Sequence, residues 1–383
     1  MAKLYGAGAI YHGNGSLSEL KNIRGKRAVI VTGKGSTTAN GSLPATEKLL
    51  HEIGIETKVF KNVEQDPSID TVREGAAFMT EFQPDWIIGL GGTSAIDAAK
   101  VMWVLYEYPE LPFETMIKPF AIPTLRNKAQ FIAVPTTSGT GTETTSLAVI
   151  TDRVKGVKYP VASHELQPDI AIVDGDLCKS MSPATTANTG MDALTHCIEA
   201  YVSNIDDNYA DAMSKGGIEL IFANLPKAVE DPENGEVRQN MHDASALAGY
   251  AFTNSWLGIV HSMAHQMGGI FGIPHGRANA LALPNVMRFN AKATDRYADL
   301  ARLVGGETAT DFIAAVENLK KDINVPASIR EYGIEKEAWM KEVKRMAENA
   351  FADVCTSFNP RKTTVEDLEK LYIALYEGEY IDF

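Results

Sequence analysis

The sequence predicts two domains, an N-terminal α/β domain with a doubly wound, mainly parallel sheet and an all-helical C-terminal domain. Strand and helix patterns alternate in the first half, whereas nearly every stretch after residue 183 has helical spacing. A chain of 383 residues is also longer than a domain with a single hydrophobic core usually is. We place the boundary near Met181, which gives domains 1–182 and 183–383.

In the first half, runs rich in β-branched and aromatic residues alternate with helical stretches. The predicted strands are residues 27–32, 57–60, 85–90 and 129–135, and the predicted helices between them are 45–53, 69–82 and 94–106. This alternation implies a parallel sheet, in which ligands bind beyond the carboxyl ends of the strands. Three further strands, 147–151, 158–162 and 169–174, follow without intervening helices.

In the second half, apolar residues recur at helical spacing. The clearest predicted helices are residues 184–201, 210–223, 237–252, 259–271, 310–322 and 365–376.

Composition restricts the class of partner. The formal net charge of −13 argues against nucleic acid and anionic membranes. No apolar run is long enough for a membrane helix, and the first residues do not resemble a signal peptide. The three cysteines are distant and odd in number, which favours a reducing compartment. We therefore expect a cytoplasmic protein and, by the usual preference of soluble enzymes, a homodimer.

Loops of small residues follow three predicted strands, at residues 32–36, 89–94 and 134–143. Glycines after a strand let backbone amides approach an anion, and the helix that follows adds a favourable dipole. An ordinary tight turn explains one such loop equally well, but three at successive strand ends favour phosphate binding. The common Gly-x-Gly-x-x-Gly pattern and a Walker-type Gly-Lys-Ser/Thr are both absent from the sequence.

Five side chains in the helical half suggest a metal site. Asp192 and His196 are four residues apart, as are His261 and His265, and His275 follows. Residues four apart share one helix face, so each pair can point at a common centre, although simple local hydrogen bonding is the alternative. A carboxylate with imidazoles and without cysteine in register suits a catalytic divalent metal. Spacing alone favours His261 and His265 as paired ligands.

The combined pattern resembles the iron-containing alcohol dehydrogenase family, with the clostridial NADPH-dependent butanol dehydrogenases as the most similar branch. The resemblance covers essentially the whole chain. The stretches that carry it are residues 91–100, 135–143, 189–201, 260–268 and 274–280.

The resemblance implies a dinucleotide-binding N-terminal domain and a metal and active site in the cleft between the domains. It implies Fe²⁺, with Zn²⁺ as the alternative, and His265 as a catalytic proton relay instead of a ligand. The implied metal ligands are Asp192, His196, His261 and His275.

The cofactor implied is NADP(H), with NAD(H) as the alternative. Members that prefer NAD often carry an Asp after the first strand, where this chain has Gly33, Lys34, Gly35 and Ser36. A carboxylate would repel a 2′-phosphate, whereas Lys34 and Ser36 can bind it. The other expected cofactor-binding residues are Asp66, Gly91, Gly92, Thr93, Ser94, Asp97, Thr136, Thr137, Thr140, Thr145 and Lys158.

Several of these residues have a plainer interpretation. Asp97 can instead pair with Lys100 one helical turn away, Asp66 can belong to an Asp-Pro turn, and Lys158 can be a strand-edge lysine. The family's usual Gly-Gly-Gly-Ser has Thr93 in its third position here. The segment after Cys355 also departs from the family pattern.

The expected activity is hydride transfer between NADP(H) and a short-chain primary alcohol or aldehyde, with the metal polarising the substrate oxygen. Ser146, Phe252 and Leu257 are expected at the substrate, although core packing explains the two apolar ones equally well. A zinc-dependent glycerol or polyol dehydrogenase and a dehydroquinate-synthase-like lyase are the enzymatic alternatives. A structural metal protein is the third, but it would not need three glycine loops.

Overall fold

A computed structural model describes residues 3–383 as two compact units. Unit 1 comprises Met1–Ser180 and Glu233–Gly249, and unit 2 comprises Met181–Pro232 and Tyr250–Phe383. The sequence-based division at residues 182 and 183 omits the return of Glu233–Gly249 to unit 1. Helical spacing shows that such a segment is a helix but carries no information on which core it joins.

Unit 1 contains a six-stranded sheet in which every pair of neighbouring strands is parallel. Its strand order is β1-β8-β5-β4-β2-β3, and β6 and β7 form a separate antiparallel hairpin. The eight strands are β1 (Ala9–His12), β2 (Arg27–Gly33), β3 (Glu56–Val63), β4 (Trp86–Gly91), β5 (Gln130–Pro135), β6 (Leu147–Asp152), β7 (Val157–Ala162) and β8 (Ile170–Val173).

Helices cover both faces of this sheet. Along β2, Val29 and Val31 belong to one buried cluster, whereas Ala28 and Ile30 belong to the cluster on the opposite face. This alternation is the period of a strand that is buried on both sides. The helices of unit 1 are α1 (Ser36–Ala39), α2 (Ser42–Glu52), α3 (Ile69–Phe82), α4 (Thr93–Glu107) and α5 (Phe113–Met116), with 3₁₀ turns at Ser16–Asn22, Thr142–Thr144, His164–Leu166 and Gly175–Cys178.

Unit 2 is helical throughout. Its helices are α6 (Pro183–Val202), α7 (Asn208–Glu230), the end of α8 (Gly235–Ser255), α9 (Ile259–Phe271), α10 (His275–Asn290), α11 (Arg296–Leu303), α12 (Ala309–Asp322), α13 (Ile329–Tyr332), α14 (Lys336–Ala352) and α15 (Val365–Glu377), with a 3₁₀ turn at Val354–Phe358. Helix α10 packs against α6, α9, α12 and α15 and is buried along most of its length. The predicted fold class is confirmed.

Across the described residues 3–383, the helices all fall short of the length and apolar character that spanning a membrane requires.

Candidate functional site

Four side chains of unit 2 bring their ligand atoms together within 4.8 Å of one another. Asp192 and His196 come from α6, His261 from α9 and His275 from the first residue of α10. Asp192 Oδ1 lies 4.0 Å from His196 Nε2, 3.9 Å from His261 Nε2 and 3.5 Å from His275 Nε2. Metal–ligand bonds of about 2.1 Å in a tetrahedral shell separate the ligand atoms by roughly 3.4 Å. The donor set therefore fits a divalent cation.

A close approach of two helices makes this cluster possible. A Cβ on Gly276 would lie 2.0 Å from the carbonyl oxygen of Asn188 and 3.1 Å from Cβ of Asp192. Only glycine at this position lets the start of α10 lie against α6. The neighbouring His275 is thereby held beside Asp192.

Burial keeps the central imidazole neutral. Desolvation, followed by the charges that neighbouring imidazoles would carry, lowers the pKa of His261 well below its ordinary value. The His261 ring stacks on the His196 ring with centroids 4.6 Å apart. Phe252 stacks on the His196 ring, also with centroids 4.6 Å apart. A neutral imidazole is the form that binds metals.

Two polar residues that sequence reasoning missed make hydrogen-bond contacts with side chains of the cluster. Glu199 Oε2 lies 2.5 Å from His261 Nδ1, and burial raises the pKa of this glutamate to about 8. Asn279 Nδ2 donates to Asp192 Oδ1 at 2.7 Å and lies 3.2 Å from His261 Nε2 and 3.3 Å from His275 Nε2. Glu199 follows His196 by three residues and Asn279 follows His275 by four, so helical spacing could have found both.

The fifth candidate, His265, is not a member of the four-residue cluster. Its side chain is 42% exposed, stacks on His275 with centroids 5.5 Å apart, and donates from Nδ1 to Asp353 Oδ2 at 2.8 Å. Burial opposes ionisation of Asp353, but the hydrogen bond and charge of His265 outweigh burial and lower its pKa. The His265 ring therefore lies beside His275 of the four-residue cluster, with its Nδ1 hydrogen-bonded to a carboxylate.

In unit 1, the second and third glycine loops meet at the ends of β4 and β5. Gly91 has φ +145°, and a Cβ there would lie 3.1 Å from Cβ of Ala95. The Thr136 amide donates to the Gly91 carbonyl at 2.9 Å. The hydroxyls of Thr93 and Thr140 are hydrogen-bonded at 2.7 Å, so the unusual Thr93 ties the two loops together. The two loops thus surround the N-terminal turn of α4, and the backbone N–H groups at a helix N-terminus are what an anion site requires.

The third loop is anchored by a residue from the returning segment of α8. Ser245 Oγ accepts from the Gly139 amide at 2.7 Å and from the Gly141 amide at 3.2 Å. Gly141 has φ +60°, and a Cβ there would lie 2.5 Å from the Ser245 carbonyl oxygen. These two amides are engaged with Ser245, and Thr136, Thr137 and Thr140 of this loop stay predicted cofactor residues.

The first loop lies at the end of β2. A Cβ on Gly33 would lie 3.6 Å from the Val63 carbonyl oxygen, an ordinary contact, and the side chains of Lys34 and Ser36 are exposed. Gly35 precedes α1 as its N-cap. The position therefore has room for a group next to Gly33, with a cation and a hydroxyl nearby.

Three other predicted cofactor residues are brought together. Lys158 Nζ and Asp66 Oδ1 form an ion pair at 2.7 Å, with side chains 53% and 45% exposed. The Asp66 amide donates to Ser94 Oγ at 3.3 Å, which joins the pair to the first turn of α4. Gly92 is the N-cap of α4, two residues before Ser94.

Asp97 and Thr145 belong to a buried network that supports the loops. Asp97 accepts from the Thr142 hydroxyl at 2.8 Å and from the Val149 amide at 2.9 Å. The Lys100 ammonium donates to the Thr145 carbonyl at 2.9 Å and to its hydroxyl at 3.2 Å. Burial lowers the pKa of Lys100 to about 8 and raises that of Asp97. Asp97 thus hydrogen-bonds to the third loop, and the expected contact of Asp97 and Thr145 with the cofactor stays a prediction.

The three expected substrate residues have different surroundings. Phe252 is half-buried against the His196 ring, and Leu257 is buried just before α9. Ser146 belongs to unit 1, where its carbonyl accepts from the Ser163 amide at 2.9 Å. Phe252 is thus in direct contact with a side chain of the four-residue cluster.

Comparison with known proteins agrees with this site. Residues 7–175 match the model of iron-containing alcohol dehydrogenase, and residues 186–376 match that of the Fe-containing alcohol dehydrogenase family, C-terminal. The chain is 45% identical over 381 residues to the NADPH-dependent butanol dehydrogenase of Clostridium saccharobutylicum, covering 98% of each chain. It is 39% identical to the bifunctional aldehyde-alcohol dehydrogenase AdhE of Escherichia coli, covering 98% of this chain and 46% of that protein.

Among solved structures, the iron-containing alcohol dehydrogenase of Thermococcus thioreducens superposes with a TM-score of 0.92 at 35% identity, covering 98% of this chain and 100% of that one. These matches favour the alcohol dehydrogenases over the lyases that the sequence left open. The expected resemblance is confirmed, and the chain belongs to the iron-containing alcohol dehydrogenase family and is an oxidoreductase.

Proposed function

We propose that this enzyme transfers hydride between NADP(H) and a short-chain primary aldehyde or alcohol. The observation that carries the proposal is the cluster of one carboxylate and three imidazoles in a chain that also has glycine loops at three strand ends. The 45% identity to an NADPH-dependent butanol dehydrogenase supports the choice of cofactor and substrate class.

The metal that we propose is Fe²⁺, with Zn²⁺ as the alternative, held by Asp192, His196, His261 and His275. One carboxylate and three imidazoles suit either ion, and four protein ligands leave space for a substrate oxygen when the shell expands. Bound there, the ion supplies a Lewis acid for that oxygen, and the nicotinamide supplies or accepts the hydride. Phe252 is proposed to limit the pocket beside His196, together with Leu257. Ser146 of unit 1 stays a predicted substrate residue.

The cofactor is proposed to bind through the loops of unit 1. Gly33 leaves room for a 2′-phosphate, and Lys34 and Ser36 offer it a charge-assisted hydrogen bond. The start of α4 is proposed to hold the pyrophosphate. Asp66 and Lys158 are proposed to contact the adenosine half of the cofactor, with their mutual ion pair exchanged for contacts to it.

His265 is proposed to move the proton between the substrate oxygen and solvent. Its exposed ring can pass a proton from Nε2, while Asp353 holds Nδ1 and fixes the ring orientation. A His265→Asn variant is expected to lose turnover by ~100-fold, the lower end of what acid–base catalysis contributes. Metal content, measured on the same sample, should equal that of the wild type. Loss of metal in this variant would show that His265 is a ligand after all.

An aldehyde panel tests the proposed function. Enzyme reconstituted anaerobically with Fe²⁺ or with Zn²⁺ is assayed with NADPH and NADH on butanal, propanal and acetaldehyde, and on glycerol and 1,3-propanediol in the reverse direction. Short aldehydes with NADPH are expected to give the highest kcat/KM. Higher efficiency on glycerol would favour the polyol alternative, and equal efficiency with NADH would refute the cofactor preference.

We also propose a cytoplasmic homodimer. Support comes from the acidic composition, the three cysteines without a disulfide pattern and the general preference of soluble enzymes for twofold symmetry. Light scattering should give about twice the chain mass of 41.6 kDa, and the monomer mass would contradict the proposal.

A further inference from the structure

We propose that Glu199 is a positioning residue that selects the tautomer of His261 and thereby makes this ring able to bind the metal. The inference rests on the proposed metal site and adds to it a residue that does not itself touch the metal. It predicts that metal affinity depends on which atom of His261 carries the proton.

The contact between the two side chains is short and buried. Glu199 Oε2 lies 2.5 Å from His261 Nδ1, and the two side chains are 3% and 2% exposed. Glu199 Oε1 accepts from the Val260 amide at 2.7 Å. In residues 3–383, no lysine or arginine lies within ion-pair distance of this carboxylate. A buried carboxylate without a cation is costly, and a metal on the far side of the imidazole would compensate for it.

Donor and acceptor roles follow from this contact. The Asn279 amide nitrogen can only donate and lies 3.2 Å from His261 Nε2, so Nε2 keeps its lone pair. The single proton of the neutral ring is then on Nδ1, which donates it to Glu199 Oε2. Nε2 is also the atom that faces Asp192 Oδ1, at 3.9 Å. The lone pair therefore points into the ligand cluster.

Glutamine at position 199 would reverse this arrangement at nearly unchanged volume. Its amide has one acceptor oxygen and one donor group, whereas Glu199 offers two acceptors. The Val260 N–H cannot change its role, so it retains the oxygen and the amide NH₂ faces Nδ1. Nδ1 is then favoured as an acceptor and the ring proton as a substituent of Nε2, so metal binding has to work against the preferred tautomer.

The chain offers a matched control in its second carboxylate–histidine pair. His265 Nδ1 donates to Asp353 Oδ2 at 2.8 Å, yet His265 lies outside the ligand cluster. Asp353→Asn makes the same chemical change, a carboxylate to an amide beside an imidazole. If replacing a carboxylate by an amide disturbs unit 2 in general, metal affinity should fall in both variants. If the effect passes through the proposed ligand His261, metal affinity should fall only in Glu199→Gln.

The experiment measures the affinity of the full-length apoenzyme for Co²⁺ and Zn²⁺ by competition with a chelator. Glu199→Gln is expected to weaken binding by ~10- to 100-fold, the usual effect of losing the partner of a ligating histidine. Asp353→Asn is expected to bind as the wild type does. The visible absorption of bound Co²⁺ should change only in Glu199→Gln, and circular dichroism with NADPH binding verifies the fold of each variant.

A second measurement needs no variant. Nitrogen-15 spectra of metal-free wild type, with His261 assigned through His261→Asn, are expected to show a protonated Nδ1 and an unprotonated Nε2. A proton on Nε2, or wild-type metal affinity in Glu199→Gln, would overturn the role of Glu199. If the wild type bound no metal, the metal site and this inference would fall together, whereas normal wild-type binding with an unaffected Glu199→Gln would remove only the inference.

Discussion

Replacing His261 by alanine is expected to abolish metal retention and alcohol dehydrogenase activity together. The ring is buried at the centre of the cluster, so its loss removes one of the four proposed ligands. Because Lewis-acid catalysis is worth several kcal/mol, kcat/KM should fall by ~1000-fold or more. Metal is counted per chain by mass spectrometry on anaerobically reconstituted protein.

The alanine variant also leaves Glu199 buried without its partner, which by itself destabilises unit 2. His275→Ala separates the two effects, because the His275 side chain is 42% exposed and its loss costs little stability. Metal should be lost from both variants, whereas His51→Ala, at an exposed histidine of α2, should retain it. Metal bound at the wild-type level in either ligand variant would contradict the ligand set.

Replacing Gly33 by aspartate is expected to reverse the cofactor preference. The structure has room for the new Cβ, 3.6 Å from the Val63 carbonyl oxygen, so the change acts mainly through charge. A carboxylate there repels a 2′-phosphate and accepts from a ribose 2′-hydroxyl. Since a charge-assisted hydrogen bond contributes about 1.5–3 kcal/mol, kcat/KM with NADPH should fall by ~10- to 100-fold, while that with NADH is maintained or rises.

Gly33→Ala is the matched control for this experiment. It adds the same Cβ without the charge, so its kcat/KM ratio for the two cofactors should resemble the wild-type ratio. Equal losses with NADPH in both variants would indicate a steric cause. An unchanged ratio in Gly33→Asp would place the 2′-phosphate away from β2.

The sequence predicted most of the elements because their signals are local. Helix α3 occupies residues 69–82 as expected, and Ser68 caps it by accepting from the Thr71 amide. Strand β1 escaped prediction because its four residues, three half-buried and one exposed, carry no periodic signal. The strands β6 and β7 were expected, but their separation from the main sheet depends on pairing between distant segments, which composition does not reveal.

The distinction between local signals and contacts distant in sequence applies to the candidate site as well. Spacing brought Asp192 together with His196, and the resemblance separated His265 from the ligands. The supporting contacts are remote in sequence, with a separation of 62 positions from Glu199 to His261 and of 88 positions from His265 to Asp353. Such pairs have no periodicity to detect, and only the folded chain shows them.

The buried Lys100 ammonium serves as a built-in cation for the carbonyl groups of the third loop. Its ammonium lies 2.7 Å from the Thr142 carbonyl, 2.9 Å from that of Thr145 and 3.0 Å from that of Leu147. Carbonyl cages of this kind elsewhere enclose potassium or sodium. Here the cation is covalently tethered to α4, so it cannot be diluted away or exchanged for another ion, and its charge is lost only as the pH rises through its pKa of about 8.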